Sequence, residues 1–247
     1  MPPVYVKPYV KRSKNDVADA EATCEAVTRP TMRFVAIKSR EQQAALSLHR
    51  AGSLLIRQRT QLANLMRSML AELGIAIPVG LEKALQMARQ IVDGEVELDL
   101  PAEAMTVVAM LSGQMLQLHA QLRKLELRLA RLQRSDDTAR RLATIPGIGS
   151  VGATAHAASV TDPSQFVWGR QFAAWLGLTP RQNSSDGKER LGRITKMGDK
   201  SLRQLLVIGA TSLVRRAKEN PMAQTRASSP CWQESQRGLP RSPWQTR

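Results

Sequence analysis

Leucine and methionine recur at helical spacing between residues 40 and 73. The repeat places an apolar side chain at every seventh residue, and it comprises Leu48, Leu55, Leu62 and Met69. Leu65 and Leu73 lie beside this repeat, and Gly74 follows as the type of residue that ends a helix. The spacing therefore predicts one long amphipathic helix over residues 40–73.

A second leucine-rich stretch covers residues 104–134. Its apolar positions alternate steps of four and three residues, and they are Leu111, Met115, Leu118, Leu122, Leu125, Leu129 and Leu132. This alternation is the a/d pattern of a coiled coil, with Gln, Lys, Arg and Glu beside it. The partner is either the 40–73 helix or another chain. An ordinary amphipathic helix of a bundle is the alternative.

The remaining patterns are shorter and predict a mainly α protein. Acidic residues in a first turn, a Pro after a helix and an apolar period of 3.6 mark the helices. The predicted elements are an extended basic arm before Asn15, a helix from there to Arg29-Pro30, a short unpaired strand over 33–38, and helices over 81–92 and 200–218. The segment from Thr225 onward has no helical or alternating period and could not fold alone.

The charge of the chain points to a polyanion as its partner. Of 247 residues, 43% are hydrophobic, which is enough for a real core, and the formal net charge is +15. Nucleic acid is the commonest partner of such a basic chain. The alternative is a basic protein whose charge only aids solubility. Because aromatic residues make up only 4%, contacts to backbone and grooves are favoured over a platform on which bases stack.

Several classes of protein are excluded by composition. Cys24 and Cys231 are the two cysteines, so the chain has neither a disulfide framework nor a zinc ligand set. No stretch has the length and apolar character of a membrane span, and the basic N-terminus lacks the apolar segment of a secretory signal. The three histidines lie on separate helical stretches without ligand spacing, and we interpret them as structural.

A glycine-rich turn separates two helical stretches at Ile145-Pro146-Gly147-Ile148-Gly149. We interpret it as the hairpin of a helix-hairpin-helix element. Backbone N–H groups at Gly147 and Gly149, together with the N-terminus of the following helix, would then hold a DNA phosphate without reading bases. A plain helix–glycine–helix turn is the alternative.

Two acids, Asp16 and Asp19, lie three residues apart in the first turn of the predicted N-terminal helix. This spacing puts both carboxylates on one face, where they could hold a divalent metal with substrate phosphate completing the shell. The alternative is a favourable interaction of the two acids with the helix dipole.

A polar loop that contains serine follows the apolar run WLGLTP and leads into basic sequence. A serine ringed by cations could attack a phosphodiester, and the cations would stabilise the charge of the transition state. A solvated turn with phosphate-binding basic residues is the alternative. The cations that we assign to DNA binding are Lys188, Arg190, Arg193 and Lys196.

These motifs, in this order, resemble the insertion-sequence transposases of the IS-one-ten family, in its eleven-eleven subgroup. The resemblance covers roughly residues 4–224. It is carried by KPYVKRSKNDVADAEATCEAV, by IPGIGSVGA and by FAAWLGLTPRQNSSDGKERLGRITKMGDKSLRQLLV. The spacing of GLTP, the serine-rich loop and GRI-K-GD is specific to that family.

The resemblance implies a catalytic machinery of two parts. A RuvC-like domain carries four acids that bind Mg²⁺, and Asp16 and Asp19 match the last two of them. A coiled coil joins it to a C-terminal transposase domain with a nucleophilic serine, matched by Ser185, with Ser184 as the alternative. The resemblance further implies a homo-oligomer formed through the coiled coil, DNA as the partner, a structured bridge RNA as a guide, and a cytoplasmic, nucleoid-associated location in a bacterium.

The chain departs from the family at both ends. The first two acids would precede residue 4, and the sequence after residue 224 looks like a frameshifted reading. We therefore expect a fragment of a DNA transposase, able to bind nucleic acid and unable to cut it; a non-enzymatic nucleic-acid-binding coiled-coil protein is the alternative. The predicted domains are a RuvC-like α/β remnant (1–39), a coiled-coil region (40–136), the helical transposase domain (137–224) and a disordered tail (225–247).

Overall fold

A computed structural model describes residues 6–10, 15–30, 32, 34, 36–182 and 191–219. Within these residues the chain forms eight α-helices and one pair of short strands, which confirms the mainly α prediction. The helices are α1 (Asp16–Val27), α2 (Arg40–Glu72), α3 (Leu81–Val92), α4 (Ala102–Ser135), α5 (Asp137–Leu142), α6 (Ser150–Ser159), α7 (Gly169–Trp175) and α8 (Lys200–Glu219), and the strands are β1 (Pro180–Gln182) and β2 (Leu191–Ile194). Two single 3-10 turns cover Lys7–Tyr9 and Pro163–Gln165.

Helices α2 and α4 are the long elements of the fold, and local signals set the ends of α2. The Ser39 hydroxyl accepts a hydrogen bond from the Gln42 backbone N–H at 3.2 Å, and the Gln42 side chain accepts one from the Ser39 N–H at 3.0 Å. This reciprocal capping box satisfies two N–H groups that have no partner within the helix. After the last turn, Gly74 adopts a φ of +81°, a conformation that glycine reaches without steric cost.

The predicted seam of α4 packs on α2 of the same chain, which decides between the two partners that the sequence left open. Most of its a/d positions are buried, namely Leu111, Met115, Leu118, Leu122 and Leu129. Small residues on α2 face this seam, so the two helices approach closely. A Cβ added at Gly52, for example, would lie 3.5 Å from Cδ2 of Leu125.

On α2 the buried stripe differs from the predicted one. The side chains of Leu48, Leu55, Leu62 and Met69 are only half-buried. The fully buried positions are Ala45, Gly52, Ala63, Met66 and Leu70. Leu65 and Leu73, expected beside the seam, are 47% and 41% exposed. The short side chains of Ala45 and Gly52 bring the α2 backbone close to its neighbours, so the larger side chains are displaced to the flanks of the contact.

The largest core cluster lies where α3 packs against α2 and α4. Its buried members come from all three helices and are Ala63, Met66, Leu70, Ala84, Leu85, Ala88, Ile91, Val108 and Met115. Close-packed apolar side chains of this kind contribute most of the stability of a helical domain. The cluster therefore holds one end of the α2–α4 pair together.

The N-terminal part of the chain is helical where it is described. The Asn15 side chain caps α1 by accepting from the Val17 N–H at 3.2 Å, and the helix ends at Val27, two residues before Arg29. Two differences from the sequence prediction are found. Residues 7–9 form a 3-10 turn rather than an extended arm, and neither Phe34 nor residues 36–38 belong to a strand. The lone strand lacked a partner, and an unpaired strand leaves its backbone hydrogen bonds unmade.

A second helical region follows the long pair. Helix α6 packs against α2 and α4 as well as α5, and α8 packs on α6. Alanines carry most of these contacts, since Ala139, Ala153 and Ala157 form one buried cluster and Ala155 joins Leu176 and Leu202 in another. Strands β1 and β2 are antiparallel, with Pro180 opposite Ile194 and Gln182 opposite Leu191. The sequence predicted only a loop there, because three- and four-residue strands carry too little alternation to be recognised.

Candidate nucleic-acid interface

The turn at residues 145–148 has the geometry that its sequence demands. Pro146 lies at the second position, Gly147 follows with a φ of +86°, and the Ile148 N–H donates to the Ile145 carbonyl at 3.0 Å. Pro at the second position and a positive φ at the third are the features of a type II turn. The turn joins α5 to α6, so the predicted order of helix, glycine turn and helix is present.

The two glycines of this turn have different surroundings. Gly147 lies against α8, where a Cβ would meet the Gly209 carbonyl oxygen at 3.0 Å and Cδ1 of Leu213 at 2.8 Å. Gly149 is exposed, has nothing within 4 Å of its Cβ position, and is the N-cap of α6. The N–H groups of Gly147 and Gly149 remain the predicted donors to a phosphate, and Gly149 adjoins the first turn of α6. The N–H groups of such a turn have no acceptor within the helix and suit a phosphate.

Gly209 explains how α8 approaches the turn so closely. A Cβ at this position would lie 2.2 Å from the carbonyl oxygen of Gly147, so any side chain would collide with backbone. Two glycines 62 residues apart in sequence therefore form one crossing of turn and helix. Sequence analysis did not single out Gly209, because a glycine inside an apolar helical period gives no sign of which backbone it meets.

A second glycine crossing brings the two family-specific motifs together. Gly177 of the GLTP segment has a φ of +70°, and its Cβ would lie 1.9 Å from the Met197 carbonyl oxygen. Gly198, with a φ of +85°, would similarly meet the Trp175 carbonyl oxygen at 2.0 Å. The glycines recur here because two backbone segments touch each other, rather than because either approaches a ligand.

Arg203 on α8 links the two segments of this crossing through hydrogen bonds. Its Nη1 donates to the carbonyl oxygens of Leu176 at 2.8 Å and Met197 at 3.1 Å, one from each segment. Arg203 belongs to the basic sequence that follows the serine-containing loop. The structure shows instead that its guanidinium is engaged with backbone, so it positions the segments from which β1 and β2 extend.

The ends of the β1–β2 hairpin are held by backbone hydrogen bonds next to this crossing. The Lys196 N–H donates to the Gly177 carbonyl at 3.1 Å, and the Thr195 N–H donates to the Thr179 carbonyl at 2.9 Å. Lys196 itself has a φ of +56°, which is uncommon for a residue with a side chain. Arg193 and Lys196 are both exposed, as a phosphate contact requires. Ser184, Ser185, Lys188 and Arg190 fall outside the described residues.

Asp16 and Asp19 lie in the first turn of α1, and both are exposed. Their spacing puts the two carboxylates on one face, as predicted, and carboxylate oxygens are the ligands that Mg²⁺ takes in proteins. Within the described part of the chain, no group of three or more His, Cys, Asp and Glu residues could hold a metal ion. The pair is also where the helix dipole favours acids, so both interpretations of these residues stand.

An exposed row of arginines on α4 was missed in the sequence. Arg128, Arg131 and Arg134 lie three residues apart and are exposed, and Arg141 is exposed on α5. They precede the 145–148 turn in the chain and add exposed positive charge to this part of the sequence. The signal was present as a basic period of three beside the leucine seam, but it was interpreted only as the solvated flank of a coiled coil.

The histidines lie in contacts between or within helices. His49 of α2 and Thr154 of α6 are joined by a hydrogen bond of 3.1 Å between Nε2 and Oγ1. Burial lowers the pKa of His49, and the nearby His156 lowers it further. His119 of α4 contacts Arg59 of α2 at 3.0 Å, and the pKa of His119 is lowered by burial and then by the Arg59 charge.

Within the described residues, no helix is long and apolar enough to cross a membrane.

Comparison with known proteins identifies the class to which this arrangement belongs. Residues 139–226, which contain the turn, both glycine crossings and α8, match the family described as Transposase IS116/IS110/IS902 family. The chain belongs to this family of transposases, which confirms the resemblance inferred from its motifs.

Individual relatives support the same assignment over a longer part of the chain. It is 46% identical over 216 residues to "Putative transposase y4pF/y4sB" of Sinorhizobium fredii, with 87% of this chain and 55% of that protein covered. It is 44% identical over 225 residues to "Probable family 20 transposase" of Pseudomonas aeruginosa, covering 91% and 66%. It is 37% identical over 216 residues to the transposase for insertion sequence element IS1111A of Coxiella burnetii, covering 87% and 59%. The chain thus spans between just over half and two thirds of the length of these relatives.

Proposed function

We propose that this chain acts in DNA transposition as an insertion-sequence transposase, and that the α5–α6 turn with the β1–β2 hairpin contributes its DNA-binding surface. The observation that carries the proposal is the family match over residues 139–226, which covers the built turn and the two glycine crossings. A net charge of +15 supports a polyanionic partner.

The proposed binding mode is contact with phosphates rather than reading of bases. Gly149 is exposed at the N-cap of α6, and the exposed Arg193 and Lys196 lie in and directly after β2, next to the crossing of the segments that contain Gly177 and Gly198. Helix N-termini and cations neutralise phosphate without distinguishing sequence. Each phosphate neutralised by a cation releases counterions, so affinity falls steeply with salt.

A double substitution, Arg193→Gln with Lys196→Gln, tests this surface in the chain as it is. We expect weaker binding to duplex DNA of any sequence, and a slope of log affinity against log salt that is smaller by about two. Arg50→Gln with Arg57→Gln on α2 is the matched control, because it removes the same charge from two exposed positions outside the matched segment. Fluorescence anisotropy over a salt series measures both. Equal losses in the two variants would show that the surface is not localised at the hairpin.

We propose the catalytic roles on the resemblance to the family. Ser185 would form the covalent link: its hydroxyl oxygen attacks the scissile phosphorus, the P–O bond to the departing strand breaks, and the serine proton leaves to a base. Asp16 and Asp19 would hold Mg²⁺, which supplies charge stabilisation at the phosphate. Ser185→Ala is expected to abolish a covalent protein–DNA adduct in a full-length relative carrying this segment, while binding remains. An adduct lost with Ser184→Ala alone would move the role by one residue.

Two further partners follow from the same resemblance. A structured guide RNA is proposed as a second nucleic-acid ligand, in a nucleoid-associated protein. Self-association is proposed through the outer faces of α2 and α4, where Ile56, Leu54 and Leu127 remain exposed although the a/d seam is used within the chain. Sedimentation of the purified chain with and without RNA tests both.

A further inference from the structure

A cavity of about 380 Å³ lies beside the 145–148 turn. Its volume falls in the range of pockets that hold small ligands, about 300–1,000 Å³. The walls are almost entirely apolar and come from α5, the turn, α6, the segment before α7, and α7 and α8. The wall residues on which the following inference depends are Ile145, Ile148, His156, Phe166, Trp168 and Phe172.

Aromatic rings are concentrated at this cavity in a chain that has few of them. The chain contains three Phe, four Trp and two Tyr residues, and Phe166, Trp168 and Phe172 line the cavity. Trp175 stacks on Phe172 from behind, with ring centroids 5.8 Å apart and an interplanar angle of 20°. Phe166 meets Phe172 edge-on at 5.2 Å. Aromatic walls of this kind bind flat π systems by stacking.

A buried acceptor without a partner lies in the same wall. His156 is only 4% exposed, and its Nδ1 lies 2.7 Å from the Gly152 carbonyl oxygen. Because a carbonyl can only accept, Nδ1 carries a proton, and Nε2 is an acceptor whenever it carries none. Nε2 is buried and has no hydrogen-bond partner within the described residues. A buried polar atom without a partner is costly, so a ligand that brings an N–H donor would satisfy it.

The cavity and the candidate phosphate site share the turn. Ile145 and Ile148 line the cavity and bracket the type II turn, and Gly149, the N-cap of α6, follows directly. At the mouth, Trp168 is 65% exposed and Val167 is 71% exposed. A nucleotide whose phosphate lies at the α6 N-terminus would therefore have an aromatic cavity next to it for its base.

From this juxtaposition we propose that the cavity binds one unpaired nucleobase of the DNA, with its ring between the aromatic walls and its exocyclic amino group directed to Nε2 of His156. The inference rests on the proposed DNA binding and adds a base-binding site to it. Extruding a base from a duplex breaks its pairing and stacking, and the cost is smallest where the base is already unpaired. The site thus favours distorted or opened DNA over intact duplex.

Three duplexes of the same sequence test the proposal with the purified chain. One is fully paired, one carries a single unpaired adenine, and one carries an abasic nucleotide at that place. We expect the chain to bind the adenine bulge about tenfold more tightly than the abasic bulge, since stacking of one base is worth roughly fivefold to a hundredfold in affinity. Replacing the adenine by purine, which lacks the amino group, is expected to weaken binding because His156 then loses its donor.

Trp168→Ala removes one aromatic wall at an exposed position, so the fold is expected to be unaffected. This variant should bind the adenine and abasic bulges equally, while its affinity for paired duplex stays within twofold of the parent. Met110→Ala on α4 is the matched control, because Met110 is 63% exposed and lies outside the cavity. It should keep the full preference for the unpaired base.

The outcomes separate this inference from its rivals. Equal affinity of the parent chain for the adenine and abasic bulges would overturn it, as would a preference that survives Trp168→Ala. If Trp168→Ala changes the sedimentation of the chain and no base preference exists, the cavity is a protein-docking site instead. Failure to bind any of the three duplexes would refute the DNA-binding proposal itself, which is a different result from binding all three equally.

Discussion

Alanine at Gly209 and alanine at Gly113 are expected to change stability in opposite directions. Both glycines lie inside α-helices, Gly209 in α8 and Gly113 in α4. Alanine in a helix interior is favoured over glycine by about 0.5–1 kcal/mol, because it loses less backbone freedom on folding. At Gly113 a Cβ would meet nothing within 4 Å, so Gly113→Ala should gain this amount in full.

At Gly209 the same methyl group has no room. Its Cβ would lie 2.2 Å from the Gly147 carbonyl oxygen and 3.1 Å from the Gly147 carbonyl carbon. To restore ordinary contact, α8 and the turn must separate by about 1 Å. Overpacking costs about 1–3 kcal/mol, and the upper end applies here because the opposing atoms are backbone and cannot rotate away. After the gain in helix propensity is subtracted, Gly209→Ala should destabilise by about 2 kcal/mol.

Thermal unfolding followed by circular dichroism measures the difference. For a chain of this size, 1 kcal/mol corresponds to about 2–4 °C in Tm, so Gly209→Ala should lower Tm by about 4–8 °C while Gly113→Ala raises it by about 1–4 °C. Gly209→Ala should also weaken DNA binding, since the displaced turn carries Gly149. If the two variants prove equally stable, α8 does not press on the turn and the reasoning from the glycine crossing is refuted.

Three more substitutions test other contacts. Gly177→Ala should destabilise the chain by at least about 2 kcal/mol more than Gly74→Ala. Both glycines have a positive φ, +70° and +81°, but only a side chain at Gly177 would collide with backbone. Equal decreases in the free energy of unfolding, measured in urea, would contradict this. Leu118→Lys should unfold the α2–α4 pair and Leu127→Lys should not, since Leu118 is 9% and Leu127 is 61% exposed; helicity reports the outcome. Burial lowers the pKa of His49 below 6.5, so the unfolded chain binds more protons and stability should fall as pH drops below about 6.5. His49→Gln should flatten that dependence in urea titrations, and an unchanged slope would assign it to other groups.

Short-range signals in the sequence predicted most helix limits correctly. The helix expected over residues 40–73 begins at Arg40 and ends at Glu72, and the one expected over 81–92 has those bounds. Gly74 marked the end of the first helix, because a glycine with positive φ ends a helix through contacts within a few residues of the chain. The hairpin turn was equally readable, since Pro146 and Gly147 define a type II turn by themselves.

The contacts between elements were not readable in the same way. The a/d seam of α4 was predicted, but its partner was not, because a leucine seam has the same pattern whether it meets its own chain or another. On α2 the buried stripe includes Ala45 and Gly52 rather than the expected leucines. Small residues become buried where backbones approach, and that approach depends on the other helices.

The sequence by itself determined the class of this protein. The motifs IPGIGSVGA, GLTP and GRI-K-GD, in this order, resemble those of insertion-sequence transposases, and the comparisons confirmed that family. Only the tertiary structure decided what the glycines do. Gly147 meets Gly209 across 62 residues of chain, and Gly177 meets the backbone of Met197 across 20. A glycine in the sequence is compatible with a close neighbour at its backbone, but the packing of the helices decides which segment that neighbour is.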